Sequence, residues 1–279
     1  ELIKFRRELH SYPETGWCEF VTTHKIVEKL RSFGLDPIYG RQVINPEFVA
    51  GRNPAKVEEA KKAALEKGVP PEFIESMQGY TGVAAIFETG RPGPVLAIRF
   101  DMDCVDVDEA HEAGHRPFDE GWASTNPGHM HSCGHDGHTT MGIAVCNWIQ
   151  ENLDQFCGTI KVVFQPAEEG TRGARAMVAA GALDDVNYFT AIHIGTGVPA
   201  GTVICGSDNF MATTKFDVSF TGVAAHAGGK PEDGRNALLA AAQAALALHS
   251  IAPHSDGASR VNVGVMQAGS GRNVVPANA

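Results

Sequence analysis

Residues 128–142 read Gly-His-Met-His-Ser-Cys-Gly-His-Asp-Gly-His-Thr-Thr-Met-Gly, gathering four of the chain's twelve histidines with one cysteine and one aspartate. Cys133 and His135 flank a single glycine, so a bend there brings a thiolate and an imidazole onto one divalent ion of borderline softness. Asp136 and His138 then fall where they can orient those ligands from behind. The alternative is a polar, glycine-rich turn that carries histidines and no ion. Neither a CxxC pair nor an HExxH helix accompanies the run, so the common zinc motifs do not apply. Further on, Gln-Pro-Ala-Glu-Glu-Gly at 165–170 sets Glu168 beside Glu169. One such carboxylate can hold a metal while its unligated neighbour takes a proton from water. Read alone, two acids there also suit the dipole of a helix N-terminus. His193 is the third polar group delivered toward the same place.

Strand ends are what would place these groups. Short β-rich runs at 82–87, 94–100, 158–164 and 188–194 alternate with a helix predicted to follow the loop at 133 and run to 149, and with another over 171–180. This alternation implies an α/β fold with a mostly parallel sheet. Asp101 and Asp103 follow the second run, where open α/β sheets build their sites outside the carboxyl ends of strands. Ahead of the sheet, 5–10 and 17–33 carry apolar residues at helical spacing, broken at Tyr12-Pro13 and stopped at Gly34. His10 and Glu14 lie in the intervening turn, either as solvated polar residues or as supports for the site. Residues 44–79 read as a surface insertion whose helical piece, 55–67, presents a solvated charged face. After 201–205 the pattern changes to a strand (213–221), an alanine-rich helix (234–250) and a second strand (259–267), a small α+β unit. We therefore expect domains at 1–209 and 210–279. His226, amid small residues at 222–229, sits on a loop that can approach a substrate.

A hydrophobic content of 43% and a charged content of 20% are those of a globular chain with a real core. The net charge of −10 argues against nucleic acid or an anionic membrane surface as partner. Six cysteines scattered without tight spacing suggest a reducing, cytoplasmic setting. The chain begins without Met and stops at Asn-Val-Val-Pro-Ala-Asn-Ala, as a fragment would.

Taken together, Asp101-Met-Asp103, His131-Ser-Cys133-Gly-His135-Asp136, Gln165-Pro-Ala-Glu168-Glu169-Gly170, Ala191-Ile-His193 and Gly271-Arg-Asn273-Val-Val-Pro276 resemble the amidohydrolase branch of the zinc aminoacylase/carboxypeptidase family. That branch includes hippurate hydrolases and plant auxin-conjugate hydrolases. The resemblance spans essentially the whole chain. It implies a metallohydrolase catalytic domain, its final part lying beyond Ala279, with an inserted α+β lid and dimerisation domain. It also implies cleavage of the amide of an N-acyl amino acid at a two-metal centre held by Cys133, His135, Glu169 and His193, with Glu168 as general base. Asp103 and Asp136 would orient ligands, and most of the family has a histidine where this chain has Asp101. His226 and Asn273 match lid positions that reach substrate, the histidine crossing to the neighbouring subunit; Arg272 is a further candidate for a substrate carboxylate. Partners would be a homodimer mate through the lid or a related chain in a heterodimer. The thiolate favours zinc, and the resemblance favours manganese. A last histidine ligand is expected after the lid segment, and without it the second metal site is incomplete. A non-catalytic metal-binding module is the competing class, and it would have no use for Glu168.

Overall fold

Apolar residues at helical spacing make the first two helices, α1 (Leu2–His10) and α2 (Phe20–Arg31), which bury Phe5, Leu9, Phe20, Ile26, Val27 and Leu30. The computed structural model describes residues 1–195, 197–206 and 211–279, and the chain divides into units Glu1–Ala200 and Gly201–Ala279. In the first unit, β1 (Ile38–Tyr39), β2 (Val83–Glu88), β3 (Val95–Asp101), β4 (Thr159–Gln165) and β5 (Tyr188–Ala191) form one sheet in the order β1-β2-β4-β3-β5. Its apolar residues, among them Ala85, Phe87, Phe100, Val162 and Phe164, are buried in the main core.

The sheet is mixed, which corrects the expectation of a mostly parallel one. β3 pairs in parallel with β4 and β5, whereas β2 runs antiparallel to both β1 and β4. Chain length explains the difference. A parallel return needs a crossover of about a dozen residues or more, and only the short segment 89–94 joins β2 to β3. Between β3 and β4 the chain has room for α5 (Arg116–Asp119) and α6 (His135–Glu151), and that connection is the parallel one.

α6 crosses the sheet on its apolar side, burying Ile143, Cys146 and Ile149. Gly142 faces the sheet so closely that a Cβ there would stand 2.6 Å from Phe164 Cε1 and 2.8 Å from Phe100 Cδ2.

The segment 44–79 is less superficial than expected. It holds α3 (Pro54–Glu66) and α4 (Pro71–Ser76), and Ile44, Val57, Ala64, Phe73 and Met77 are buried in the same core as the sheet. The charged face of α3 is solvated, as anticipated. Asn53 caps it, its side-chain oxygen accepting from the Ala55 amide at 3.0 Å.

α7 (Ala174–Val178) follows β4, and α8 (Ala237–His249) is the alanine-rich helix of the second unit. The two strands expected there, 213–221 and 259–267, are not ladders among the described residues. Isolated bridges join Thr221 to Asn278, Val223 to Arg235 and His226 to Val274. An alternating pattern becomes a strand only where a neighbour completes its hydrogen bonds, and Phe216 and Val218 stand 66% and 54% exposed.

Candidate metal centre

The carboxyl ends of β3 and β4, the segment following β5 and the first turn of α6 converge. Asp101 closes β3, with Asp103 two residues on; Glu168 and Glu169 follow β4; His193 follows β5; Cys133, His135 and His138 come from the start of α6. Three overlapping trios, Cys133–His135–Glu169, Asp101–His135–Glu168 and His135–His138–His193, each bring ligand atoms within 4.8 Å of one another. His135 is common to all three and fully buried.

The hydrogen bonds fix how His135 is presented. Its Nδ1 donates to the Asp103 backbone carbonyl at 2.9 Å, so Nε2 is the nitrogen that offers its lone pair to a metal once the ring is neutral. Nε2 is buried without a hydrogen-bond partner, and so is Glu169 Oε1, 3.9 Å away. The pair is too far apart for a hydrogen bond, and about 2 Å to each is the reach of a divalent ion that would take the place of a proton between them. The residues present therefore fit a metal. Asp103 supports both sides, since its Oδ2 also accepts from the Glu169 amide at 3.0 Å.

The charges point the same way. Asp101, Asp103, Glu168 and Glu169 surround the imidazole, with Arg99 as counter-charge, 2.6 Å from Asp101 and 3.8 Å from Glu168. Burial opposes protonation of His135, but the Asp103 contact and the Asp101, Asp103 and Glu168 charges raise it to about 9. Burial and the neighbouring Glu169 push the Cys133 thiol up to about 12. Glu168, half-buried, is also raised above the usual carboxylate range, mainly by desolvation, with His135 pulling the other way. Glu168 and Cys133 thus both hold their protons more tightly than they would in water.

His138 and Asp101 form a supporting pair. His138 Nδ1 donates to Asp101 Oδ1 at 2.5 Å, and the Ile194 amide donates to His138 Nε2 at 2.8 Å. Burial opposes ionisation of Asp101, yet this bond and the His135 and Arg99 charges keep it below the ordinary range. His193, exposed, lies with its ring 4.6 Å from that of His138 and 5.6 Å from that of His135. The structure thus brings His193 to the histidine side of the cluster, while Cys133 and Glu169 form the other side with His135.

The turn carrying the two glutamates is strained. Ala167 and Thr171 both have left-handed backbones, φ +48° and +58°, a conformation that costs non-glycine residues of order 1–3 kcal/mol. Glu19, buried, holds it in place: Oε1 accepts from the Ala167 amide at 2.7 Å and Oε2 from the Thr81 hydroxyl at 2.6 Å.

A second buried network backs the loop before α6. His10 lies 2.9 Å from Asp136 and 3.0 Å from Glu109, and Glu109 also takes His115 at 2.8 Å and the Ser124 amide at 2.5 Å. Arg6 reaches Asp136 at 2.7 Å. His10 is therefore a support, and so is Glu14, whose carboxylate accepts from the amides of Val21 and Thr22 at the start of α2. Glu109 and Arg99 had no motif to mark them in the sequence; the alternation along β3 was the only signal for Arg99.

In the second unit, the bridge between His226 and Val274 sets His226 beside Asn273, whose carbonyl accepts from the Ala227 amide at 3.0 Å. The Gly228 amide donates to His226 Nδ1 at 3.2 Å, leaving Nε2 to carry the proton of the neutral ring. Arg272 adjoins them in sequence.

Residues 97–267 match the model of peptidase family M20/M25/M40. The chain is 61% identical to an indole-3-acetyl-aspartic acid hydrolase of Enterobacter agglomerans and 58% identical to one of the subunits of p-aminobenzoyl-glutamate hydrolase from Escherichia coli strain K12. Each alignment covers 100% of this chain and 64% of the relative, so the chain spans just under two thirds of their length. Among solved structures it is similar to an aminobenzoyl-glutamate utilization protein from Klebsiella pneumoniae, 53% identical with a TM-score of 0.77 over 99% of this chain and 64% of that one. A dinuclear metal binding peptidase of the M20 family from Bacillus subtilis matches at 28% identity and a TM-score of 0.58, over 99% of this chain and 61% of that one.

Proposed function

The chain belongs to peptidase family M20/M25/M40, and from that premise we propose that it is the greater part of a metal-dependent amidohydrolase that cleaves p-aminobenzoyl-glutamate to p-aminobenzoate and glutamate. The observation that carries the reading is the pair of unpartnered donors, His135 Nε2 and Glu169 Oε1, beside Cys133 and with Glu168 alongside. On this reading Cys133, His135, Glu169 and His193 hold two divalent ions, manganese in preference to zinc. Such ions supply Lewis acidity toward an amide carbonyl and toward water. Glu168 accepts the proton of the attacking water and passes it to the departing nitrogen; its raised proton affinity suits a group that must both take and give. Asp103 holds His135 and Glu169 in position, and Asp136 anchors the first turn of α6 to His10 and Arg6.

The segment 210–279 is read as part of a lid and dimerisation domain, with His226 Nε2 as donor to the developing oxyanion and Asn273 and Arg272 as substrate contacts. A histidine that acts from a lid fits either a homodimer mate or a related second chain. The Escherichia coli relative's name, which makes it one subunit of its hydrolase, favours the second chain. A cytoplasmic compartment would keep the Cys133 thiol reduced and available. The Enterobacter relative's name supports one second reading, the indole-3-acetyl conjugate of aspartate as substrate. Both candidates are aromatic acyl amides of an acidic amino acid.

The test is hydrolysis of p-aminobenzoyl-glutamate by the full-length protein, stripped of metal and resupplied with manganese or zinc. Turnover should require metal and fall by about 10²–10⁴-fold in Glu168→Gln at unchanged metal content. Metal binding without turnover on either conjugate would leave a metal-binding module.

A further inference from the structure

A polar pocket of about 240 Å³ is walled by Thr15, Gly16 and Cys18, by Gly51, Asn53, Lys56 and Val57 of the 44–79 segment, by Asp106 and by Arg172, three residues after Glu169. Two backbone contacts tie its lining to the centre. Arg172 Nε donates to the carbonyl of Glu169 at 2.8 Å, and Thr15 bridges to Cys104, the residue after Asp103. Arg172 is held in a slot made for it. A Cβ on Gly16 would come within 2.7 Å of its Nη2, and one on Gly51 within 2.6 Å of its Cδ. The Gly51 carbonyl accepts from Nη1 at 3.4 Å, and Nη2 has no hydrogen-bond partner among the described residues. Lys56 supplies the second cation. Its contact with Asp106 is long, 3.7 Å between two solvent-exposed side chains, so it holds Lys56 weakly.

Two cations against one acid, tied by Arg172 to the backbone of Glu169 in a centre whose own groups are mainly carboxylates, make this the place where an anionic group is attracted. We propose that Arg172 and Lys56 form the subsite for the side-chain carboxylate of an acidic amino acid, so that the enzyme selects glutamate or aspartate conjugates over their neutral counterparts. The inference rests on the hydrolase reading above and adds to it the residues that set the class of amino acid. A guanidinium fixed between two backbones is suited to a carboxylate because little freedom remains to be lost when the pair forms. Lys56, at the start of α3, adds charge with less geometric demand. The 44–79 segment thereby takes part in specificity as well as in the core.

The test measures binding, in the full-length metal-loaded protein carrying Glu168→Gln so that ligand is not consumed. Calorimetry compares p-aminobenzoyl-glutamate with p-aminobenzoyl-glutamine, which lacks the second carboxylate. The parent should prefer the glutamate compound. Adding Arg172→Gln should weaken that compound about 10- to 100-fold, the range for losing a charge-assisted contact, and shift the glutamine compound less than about twofold. Lys56→Gln, on an exposed helix turn where folding is not at stake, should give the same pattern at about 3- to 10-fold. Equal losses for both compounds, no loss in Lys56→Gln, or no preference in the parent would each overturn the subsite. Turnover by the unsubstituted protein is scored separately. Its absence, with the preference and its loss intact, would overturn the hydrolase reading and leave the subsite standing.

Discussion

At the scale of single residues, the centre depends on groups that touch two ligands at once. Asp103 is the clearest, holding His135 through its backbone carbonyl and Glu169 through its side chain. Asp103→Asn keeps the shape but weakens acceptance from the Glu169 amide, and metal affinity should fall about 10- to 100-fold. Competition against a chelating dye reads this directly; an unchanged affinity with a lowered melting temperature would reduce Asp103 to a structural part. Glu14 makes a different prediction. Burial raises its carboxyl to about 7 from an ordinary 4.5, against the opposing pull of the Thr22 and Val21 contacts. The native state therefore binds more protons than the unfolded chain between those values, and this residue's contribution to stability declines as pH rises through that window. Glu14→Gln removes the titration, so its stability relative to wild type should improve by roughly 3 kcal/mol between pH 4.5 and 7. Urea midpoints at the two ends measure it, and parallel curves would refute the assignment. The candidate ligands that the fold brings together stood out in the sequence, because Cys-Gly-His and Glu-Glu are unusual at such density. Glu109 was not, because its partner His10 lies 99 positions earlier and only the fold unites them.

Among the elements, α6 carries most of the site, and its seat on the sheet is set at Gly142. Gly142→Ala gains helix propensity of up to about 1 kcal/mol but drives a methyl into Phe164 and Phe100, and overpacking of that kind costs about 1–3 kcal/mol. A net loss is expected, read as a lower urea midpoint at unchanged slope; a higher midpoint would mean that the helix shifts freely. The sequence placed six of the helices and the strands β2, β3 and β4 well, since runs such as Val95–Asp101 and Thr159–Gln165 are bounded by turn residues, whereas the run expected over 188–194 is a strand over Tyr188–Ala191 and the short α4 and α5 went unmarked. It did not reveal the direction of β2, because strand pattern carries no sign of polarity and only the short link to β3 decides it. Residues 44–79 were misjudged for a related reason: their charged residues advertised a solvated face, and the few apolar ones that reach the core were outnumbered. In the second unit the alternation at 213–221 and 259–267 was real, but alternation alone cannot supply the neighbour a strand requires.

For the molecule as a whole, the candidate centre lies in the unit Glu1–Ala200, and among the described residues no helix is long and apolar enough to cross a membrane. Calorimetry of the stripped protein should therefore find that manganese or zinc raises the transition of that unit, by about 2.7 kcal/mol at a metal concentration one hundred times Kd. A shift of the 201–279 transition alone would misplace the site. The position of β4 carries a consequence in time. It is the middle strand in the order β1-β2-β4-β3-β5, so β3, which pairs with β4 and β5, waits for it through more than fifty further residues of synthesis. Glu168 and Glu169 ride immediately behind that late strand. The nascent chain thus carries Cys133 and His135 for a while without Glu168, Glu169 or His193, and the arrival of β4 and then β5 completes the sheet and brings these groups together in one late folding event.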